Sequence, residues 1–475
     1  MTDLDDLVRP LPHDRRLFTN RTLNLRSIVA IGFDMDYTLI HYRTEEWERR
    51  AYEYARERIA ELGWPVSHLQ FSPQAFTLGL VVDRALGNVV KANRFGFVKR
   101  ATHGTRIMPF EEQRVVYSRV IVDLAEPRWD FMNTLFSLSE TCLFAQLVDL
   151  LDDGKLPPRT TYDDLYRAVR GSVDAAHIEG ALKAEIVSDP DRFVELDADL
   201  PKALLDLKHA GKKLLLVTNS EWAYARDMMS WAFDRFVPGG SWRTLFDVVI
   251  VGARKPDFFR SNAPAFDVVD DSGLLRPHVG PLRLEQAYLG GNAQLVEKLL
   301  DCPGEDILYV GDHVFADVHV TKSMLRWRTA LVVRELEQEL AALDSFRAEQ
   351  RELDRLMAEK ERLEHAASAI RVQLQRHLHA YGERVSDPPT LKRKLQEIRR
   401  ELDILDDRIA PLSKKASELS NPTWGPILRA GNDKSHLARQ IERYADVYTS
   451  RVSNFLGESP FAYLRSPRGS LPHDP

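Results

Sequence analysis

Five short apolar runs punctuate the chain at wide intervals: 28–33, 213–217, 247–251, 306–310 and 329–333. Each is brief and rich in branched aliphatic residues, which predicts strands buried on both faces rather than half-exposed ones. Stretches with helical spacing lie between them. Residues 45–62 stop at Pro65, and 201–209 carry a proline in the first turn and close at Gly211. Strands alternating with helices predict parallel βαβ units and an α/β fold. The long first gap has another texture. Residues 71–105 hold short strands cut by Gly and Asn turns, which predicts a small antiparallel meander. Residues 130–151 and 160–187 predict helices. The region 42–200 therefore reads as a mixed α+β module inserted after the first core strand.

The last third changes again. Leu336, Leu340, Leu343, Leu353, Leu356 and Leu363 approximate a heptad series, and after Pro388 and Pro389 a stricter one runs through Leu391, Leu395, Ile398, Leu402, Leu405 and Ile409. This predicts an antiparallel helical hairpin or coiled-coil arm over 336–415, with Pro411 ending or kinking its second helix. A further helix is predicted around 443–448. The expected division is thus 1–41, a lead-in and first core strand; 42–200, the inserted module; 201–335, the resumed core; 336–415, the arm; and 416–475, a segment returning to the core, its tail after Ser466 disordered.

Composition narrows the function classes. The chain has 475 residues, 44% hydrophobic and 29% charged, with a formal net charge of −6. That balance describes a globular protein whose overall field does not recruit nucleic acid. No apolar run approaches membrane-spanning length, and the N-terminus lacks the apolar core of a signal peptide. Two cysteines, Cys142 and Cys302, make no disulfide framework, so a cytoplasmic location is expected.

The chemistry sits at the strand ends. Asp34 and Asp36 follow the first run, where open α/β sheets place their ligands. Thr218, Asn219 and Ser220 follow the second, Lys255 the third, and Asp312 and Asp317 the fourth. A carboxylate such as Asp34 can attack phosphorus, and Asp36 can protonate the departing oxygen and later deprotonate water. Asp34, Asp312 and the main-chain oxygen of Asp36 form a hard oxygen set suited to magnesium. Asp317 can orient that site. Thr218 and Asn219 can bind phosphoryl oxygens, and Lys255 can neutralise them. Each piece alone is commonplace. Their order, and the fall of each at a strand terminus, is the signal.

These four segments resemble the motifs of the haloacid dehalogenase (HAD) superfamily of phosphohydrolases. More narrowly, the chain resembles the cytosolic purine 5′-nucleotidase (IMP/GMP-specific) family. The likeness runs from about Phe18 to about Leu464 and includes Asn133 to Phe136, Arg170 to Lys183, Ala253 to Pro256 and Arg443 to Asp446. The resemblance implies a HAD-like Rossmannoid core with a cap. It implies Asp34 as the phosphorylated nucleophile, Asp36 as acid/base, and magnesium on Asp34, Asp36 and Asp312. Phosphate contacts would fall to Thr218, Asn219, Ser220 and Lys255, with Asp317 beside them. Phe136 would stack on a purine, and Arg170, Asp174, His177 and Lys183 would line the nucleoside site. Purine nucleoside monophosphates of the IMP/GMP type would be hydrolysed through a phosphoaspartate, with phosphate transfer to another nucleoside as a side reaction. The resemblance also implies a homo-oligomer, dimer or tetramer, and raises a nucleotide effector at a second site, to which Asn133 and Phe315 correspond. The chain departs from the family pattern at Ser137, Ile178, Ala316 and Ser323. Two other readings stay open: a HAD phosphatase for another small phosphoester, and a nucleotide-binding oligomeric scaffold that presents the helical arm.

Overall fold

The first apolar run forms the strand Ala30–Phe33, every residue of it buried. The computed structural model describes residues 12–178, 180–467 and 469, without the side chains of residues 135 and 176–178. Most of the tail expected to be disordered, 468 and 470–475, and the side chain of His177 thus fall outside the described residues.

Ala30–Phe33 pairs in parallel with Lys213–Val217 on one side and with Ile307–Gly311 on the other. Parallel pairing continues outward to Val248–Val251 and Gln286–Gly290 in one direction, and to Arg328–Val332 and Val447–Thr449 in the other. Antiparallel strands close the edges, with Ala265–Val268 and Leu275–Pro277 at one end and Phe18–Thr19 at the other. The result is a ten-stranded, mostly parallel sheet in a mixed α/β fold. Its core includes Leu215, Val217, Ile250, Tyr309 and Trp327.

The register places Gly32 directly opposite Tyr309. A Cβ at Gly32 would lie 2.9 Å from the Tyr309 ring. The glycine therefore makes room for a large aromatic between central strands, and that aromatic reaches the site described below.

Between the first and second core strands lies a five-stranded antiparallel sheet: Val81–Asp83, Asn88–Ala92, Val98–His103, Arg106–Ile107 and Trp129–Phe131. Three helices of the same region, Thr44–Glu61, Leu138–Asp152 and Tyr162–Ile178, pack on one another. Two readings of this region are corrected. Residues 129–131 are an edge strand, not the start of a helix, because they complete the sheet beside Val81–Asp83. The helix read over 160–187 is two helices, broken where Gly180 takes φ 74° ahead of Ala181–Ser188.

The helix expected over 443–448 is also corrected. His436–Tyr444 is helical, but Val447–Thr449 joins the main sheet. The switch comes at Asp446, whose buried carboxylate accepts hydrogen bonds from the Thr329 N–H at 2.9 Å and Arg328 Nε at 3.1 Å. Binding to the neighbouring strand outcompetes helix continuation.

Gln338–Pro426 forms a second compact unit. Within it, Arg347–His379 and Pro388–Ser417 pack antiparallel through Leu353, Leu356, Leu405 and Ile409. Glu349 pairs with Lys415 at 2.8 Å and Glu352 with Arg408 at 3.0 Å across the seam. Pro411 does not end the second helix, which runs on to Ser417. The unit extends past residue 415 because the chain turns back at Asn421, whose side chain accepts the Thr423 and Trp424 N–H groups. Among the described residues no helix is long and apolar enough to cross a membrane.

Candidate active site

The chain leaves Ala30–Phe33 and turns at once. The Met35 carbonyl accepts the N–H groups of Leu39 and Ile40, each at 2.9 Å, and Tyr37 takes φ 55°. This tight loop fixes Asp34 at the strand end. One oxygen of Asp34 accepts the Met35 N–H at 2.8 Å, and the other meets Lys255 Nζ at 2.8 Å. The same ammonium lies 2.8 Å from Asp317 Oδ1. Lys255 also donates to the Tyr309 hydroxyl at 3.1 Å, which in turn donates to the Val217 carbonyl at 3.0 Å. The ring that Gly32 accommodates thus supports the lysine from below.

Asp312 follows Ile307–Gly311, the neighbouring strand. Oxygens of Asp34, Asp312 and Asp317 lie within 4.8 Å of one another. A Cβ at Gly311 would stand 2.4 Å from Asp317 Oδ2, so glycine there lets the third acid approach. The electrostatics follow from crowding and burial. Asp34 is pushed up to about 7, first by burial, with Lys255 pulling the other way and Asp317 adding to the rise. Asp312 is raised well above the usual carboxylate range by burial, then by Asp317 and Asp34. Lys255 is raised despite its burial, because Asp317 and Asp34 hold the ammonium. Three crowded acids share one lysine, and the donor set is all carboxylate oxygen. Such a set fits a hard divalent cation.

Asp36 faces elsewhere. Its Oδ1 accepts from the Tyr42 hydroxyl at 2.5 Å and its Oδ2 from Ser220 Oγ at 2.7 Å. The third carboxylate of the acidic cluster is therefore Asp317, which the sequence placed beside the phosphate; Asp36 would contribute to a cation only through its main chain, as read. Thr218 is buried, and its hydroxyl accepts the Ser220 N–H at 3.0 Å. Asn219 exchanges hydrogen bonds with the backbone of Lys255, accepting its N–H at 2.6 Å and donating to its carbonyl at 3.3 Å. It fixes the loop that carries the lysine.

A cavity of about 180 Å³ lies over these groups, lined by Asp34, Asp36, Phe136, Asn219, Lys255 and Asp312 among others. Phe136 packs edge-on to Tyr37 and Trp47, with ring centres at 4.7 and 5.4 Å. Lys183 Nζ donates to Ser220 Oγ at 3.2 Å. A second cavity of about 400 Å³ shares Thr134 and His313 with the first and is lined also by Asn133, Arg170, Phe315 and Tyr444. Arg170 stands there rather than over Asp34, paired with Glu140 at 3.2 Å and with Asp174 at 3.5 Å. Sequence reasoning missed Thr134, His313, Tyr42 and Tyr309. Thr134 and His313 lie inside segments read for other residues and Tyr309 inside the fourth apolar run, and nothing local gives any of the four a role of its own.

A relative, a 5′-nucleotidase domain-containing protein of Dictyostelium discoideum, is 26% identical over 490 residues that take in 100% of this chain and 77% of that protein. Among solved structures, CbbY from Rhodobacter sphaeroides in complex with phosphate aligns over 64% of this chain and 86% of its own, at 16% identity and a TM-score of 0.23, a similarity too weak to bear on the fold. The model of the 5′ nucleotidase family matches residues 17–475. With that match running over nearly the whole chain, the protein belongs to the 5′ nucleotidase family and is an enzyme that hydrolyses nucleotide monophosphates.

Proposed function

We propose that the chain is a magnesium-dependent 5′-nucleotidase of HAD type, acting on purine nucleoside monophosphates through a phosphorylated Asp34. The observation that carries this reading is the Lys255 ammonium at 2.8 Å from both Asp34 and Asp317, beside Asp312 in one small cavity. Asp34 Oδ attacks phosphorus in line with the ester oxygen. The P–O bond to the nucleoside breaks, and Asp36 gives its proton to the departing 5′-oxygen. Water then attacks the phosphoaspartate, Asp36 takes its proton, and inorganic phosphate leaves with Asp34 restored. Transfer to a second nucleoside in place of water would follow the same route. Lys255 neutralises phosphoryl charge throughout, with Thr218 and Asn219 shaping the loops beneath it. Asp34, Asp312 and the Asp36 carbonyl would hold magnesium, which would supply further neutralisation of that charge.

The region 42–200 acts as the cap that chooses the substrate. Phe136 offers an aromatic edge or face to the base, and Arg170 with Asp174 can read the polar edge of a 6-oxopurine. Lys183 supports the phosphate end through Ser220. His177 belongs to the same set by resemblance. A nucleotide effector held by Asn133 and Phe315 would share a cavity with Arg170. ATP titration of the hydrolysis rate tests the effector: a rise supports it, and a flat response ends it. The helical arm and a dimeric or tetrameric cytoplasmic assembly complete the proposal.

Phosphate release from a panel of nucleoside monophosphates and other small phosphoesters, with and without magnesium, tests the reading. Preference for IMP and GMP, and loss of turnover in Asp34→Asn, are expected. Retained turnover in that variant overturns the mechanism, and preference for a non-nucleotide ester overturns the substrate.

A further inference from the structure

Asp36 is the meeting point of two hydrogen-bond chains. The Tyr42 hydroxyl has one proton, and at 2.5 Å it goes to Asp36 Oδ1. The Tyr42–Tyr224 hydroxyl pair at 2.9 Å must then be donated by Tyr224. On the other side, Ser220 spends its one hydroxyl proton on Asp36 Oδ2 at 2.7 Å, and accepts from Lys183 Nζ at 3.2 Å. The Lys183 ammonium also lies 4.8 Å from the centre of the Tyr224 ring, which closes the two chains into a loop. Four elements supply it: the strand His41–Tyr42, the helix Ala181–Ser188, the loop at Ser220 and the helix Trp222–Phe233. Tyr42, Tyr224 and Ser220 are all buried. Every donor in the loop points toward Asp36.

We infer that Tyr42, backed by Tyr224, is a positioning residue for the first chemical step: its phenol holds Asp36 in one orientation and stabilises the carboxylate that forms as Asp36 gives up its proton. This rests on the reading of Asp36 as the acid. When the ester bond breaks, the Asp36 O–H bond breaks too, and the electron pair stays on the carboxylate. A phenol already aimed at the opposite oxygen stabilises that charge without reorganisation. The benefit exists only where the leaving group needs a proton. A nucleoside 5′-alkoxide is a poor leaving group and needs one; p-nitrophenolate leaves without help.

The test compares the two leaving groups in Tyr42→Phe, with Tyr224→Phe as a second variant that leaves the contact to Asp36 in place. A charge-assisted hydrogen bond contributes enough for a loss on the order of 10- to 100-fold in the rate of phosphoenzyme formation from a nucleotide. With p-nitrophenyl phosphate the burst of nitrophenolate should change by less than about threefold, because general-acid assistance is not required. Tyr224→Phe should show the same selectivity with a smaller loss. Equal losses on both substrates in either variant overturn the inference and leave a merely structural tyrosine. Failure of the wild-type chain to release phosphate from any nucleotide would instead sink the nucleotidase reading, so the two failures are distinguishable. Unchanged circular dichroism confirms that the phenylalanine variants are folded.

Discussion

Glu48 offers a prediction that needs no substrate. It lies on the helix Thr44–Glu61 and is 0% exposed. One of its oxygens accepts the Ser139 N–H at 2.8 Å, in the first turn of the helix Leu138–Asp152. The other has no hydrogen-bond partner among the described residues. Burial dominates, partly offset by the bonds from Ser139, and pushes the carboxyl from 4.5 up to about 8. The folded protein therefore keeps a proton that the unfolded chain releases above about pH 4.5. Stability from this group is fully present below the unfolded value and is lost as pH rises toward 8. At 1.36 kcal/mol per pH unit the whole window is worth up to about 5 kcal/mol, reduced by any relaxation around the ionised group. Glu48→Gln has no proton to lose, and its amide oxygen can still accept from Ser139. Urea denaturation followed by tryptophan fluorescence at pH 5, 6.5 and 8 should show the variant gaining on the wild type by about 2–4 kcal/mol across the series. Taking the difference between the two proteins cancels the other titrating groups. If the two curves run parallel from pH 5 to 8, Glu48 is not held protonated and the reasoning fails.

Three further outcomes follow from the site. Lys255→Met leaves Asp34 and Asp317 buried without their shared cation, which should cost about 3–5 kcal/mol in denaturation experiments and lower phosphate release by at least about 10²-fold; unchanged stability would refute the pairing. Gly311→Ala puts a methyl group where the Asp317 carboxylate now lies, and should destabilise by about 1–3 kcal/mol while reducing kcat; a silent alanine would show that Asp317 has room to spare. Magnesium should raise the thermal midpoint of the wild-type chain but not of Asp312→Asn, because a ligand that binds only the folded acids stabilises by mass action. An equal rise in both proteins would place the ion elsewhere.

Much of the core was legible because a strand buried on both faces has to be apolar along its length. All five runs read that way are strands of the main sheet. The strands that escaped lack the signal. Gln286–Gly290 begins with a polar residue and ends in a glycine pair, and Ala265–Val268 carries an aspartate in its middle. Val447–Thr449 was hidden behind helical spacing, which the buried Asp446 overrides from across the sheet. The acids and the lysine at the strand ends were visible as polar groups stranded at the ends of apolar runs. Their supports were not. Tyr309 and Tyr42 look like core residues until the register brings Gly32 beneath one and the turn after Asp36 brings the other back to its carboxylate. Arg170 shows the converse: spacing paired it with Asp174, and nothing local announced Glu140, which lies a helix away.

The strand that leads into Asp34 is made well before its neighbours in the sheet, Lys213–Val217 and Ile307–Gly311. Parallel pairing over such separations closes long loops before any reward arrives, so the centre of the sheet should form late and slowly. A nascent chain that stops short of Asp312 holds Asp34 but none of the groups from the fourth strand end that surround it. Premature release would therefore yield fragments that lack the cluster of Asp34, Asp312 and Asp317 altogether.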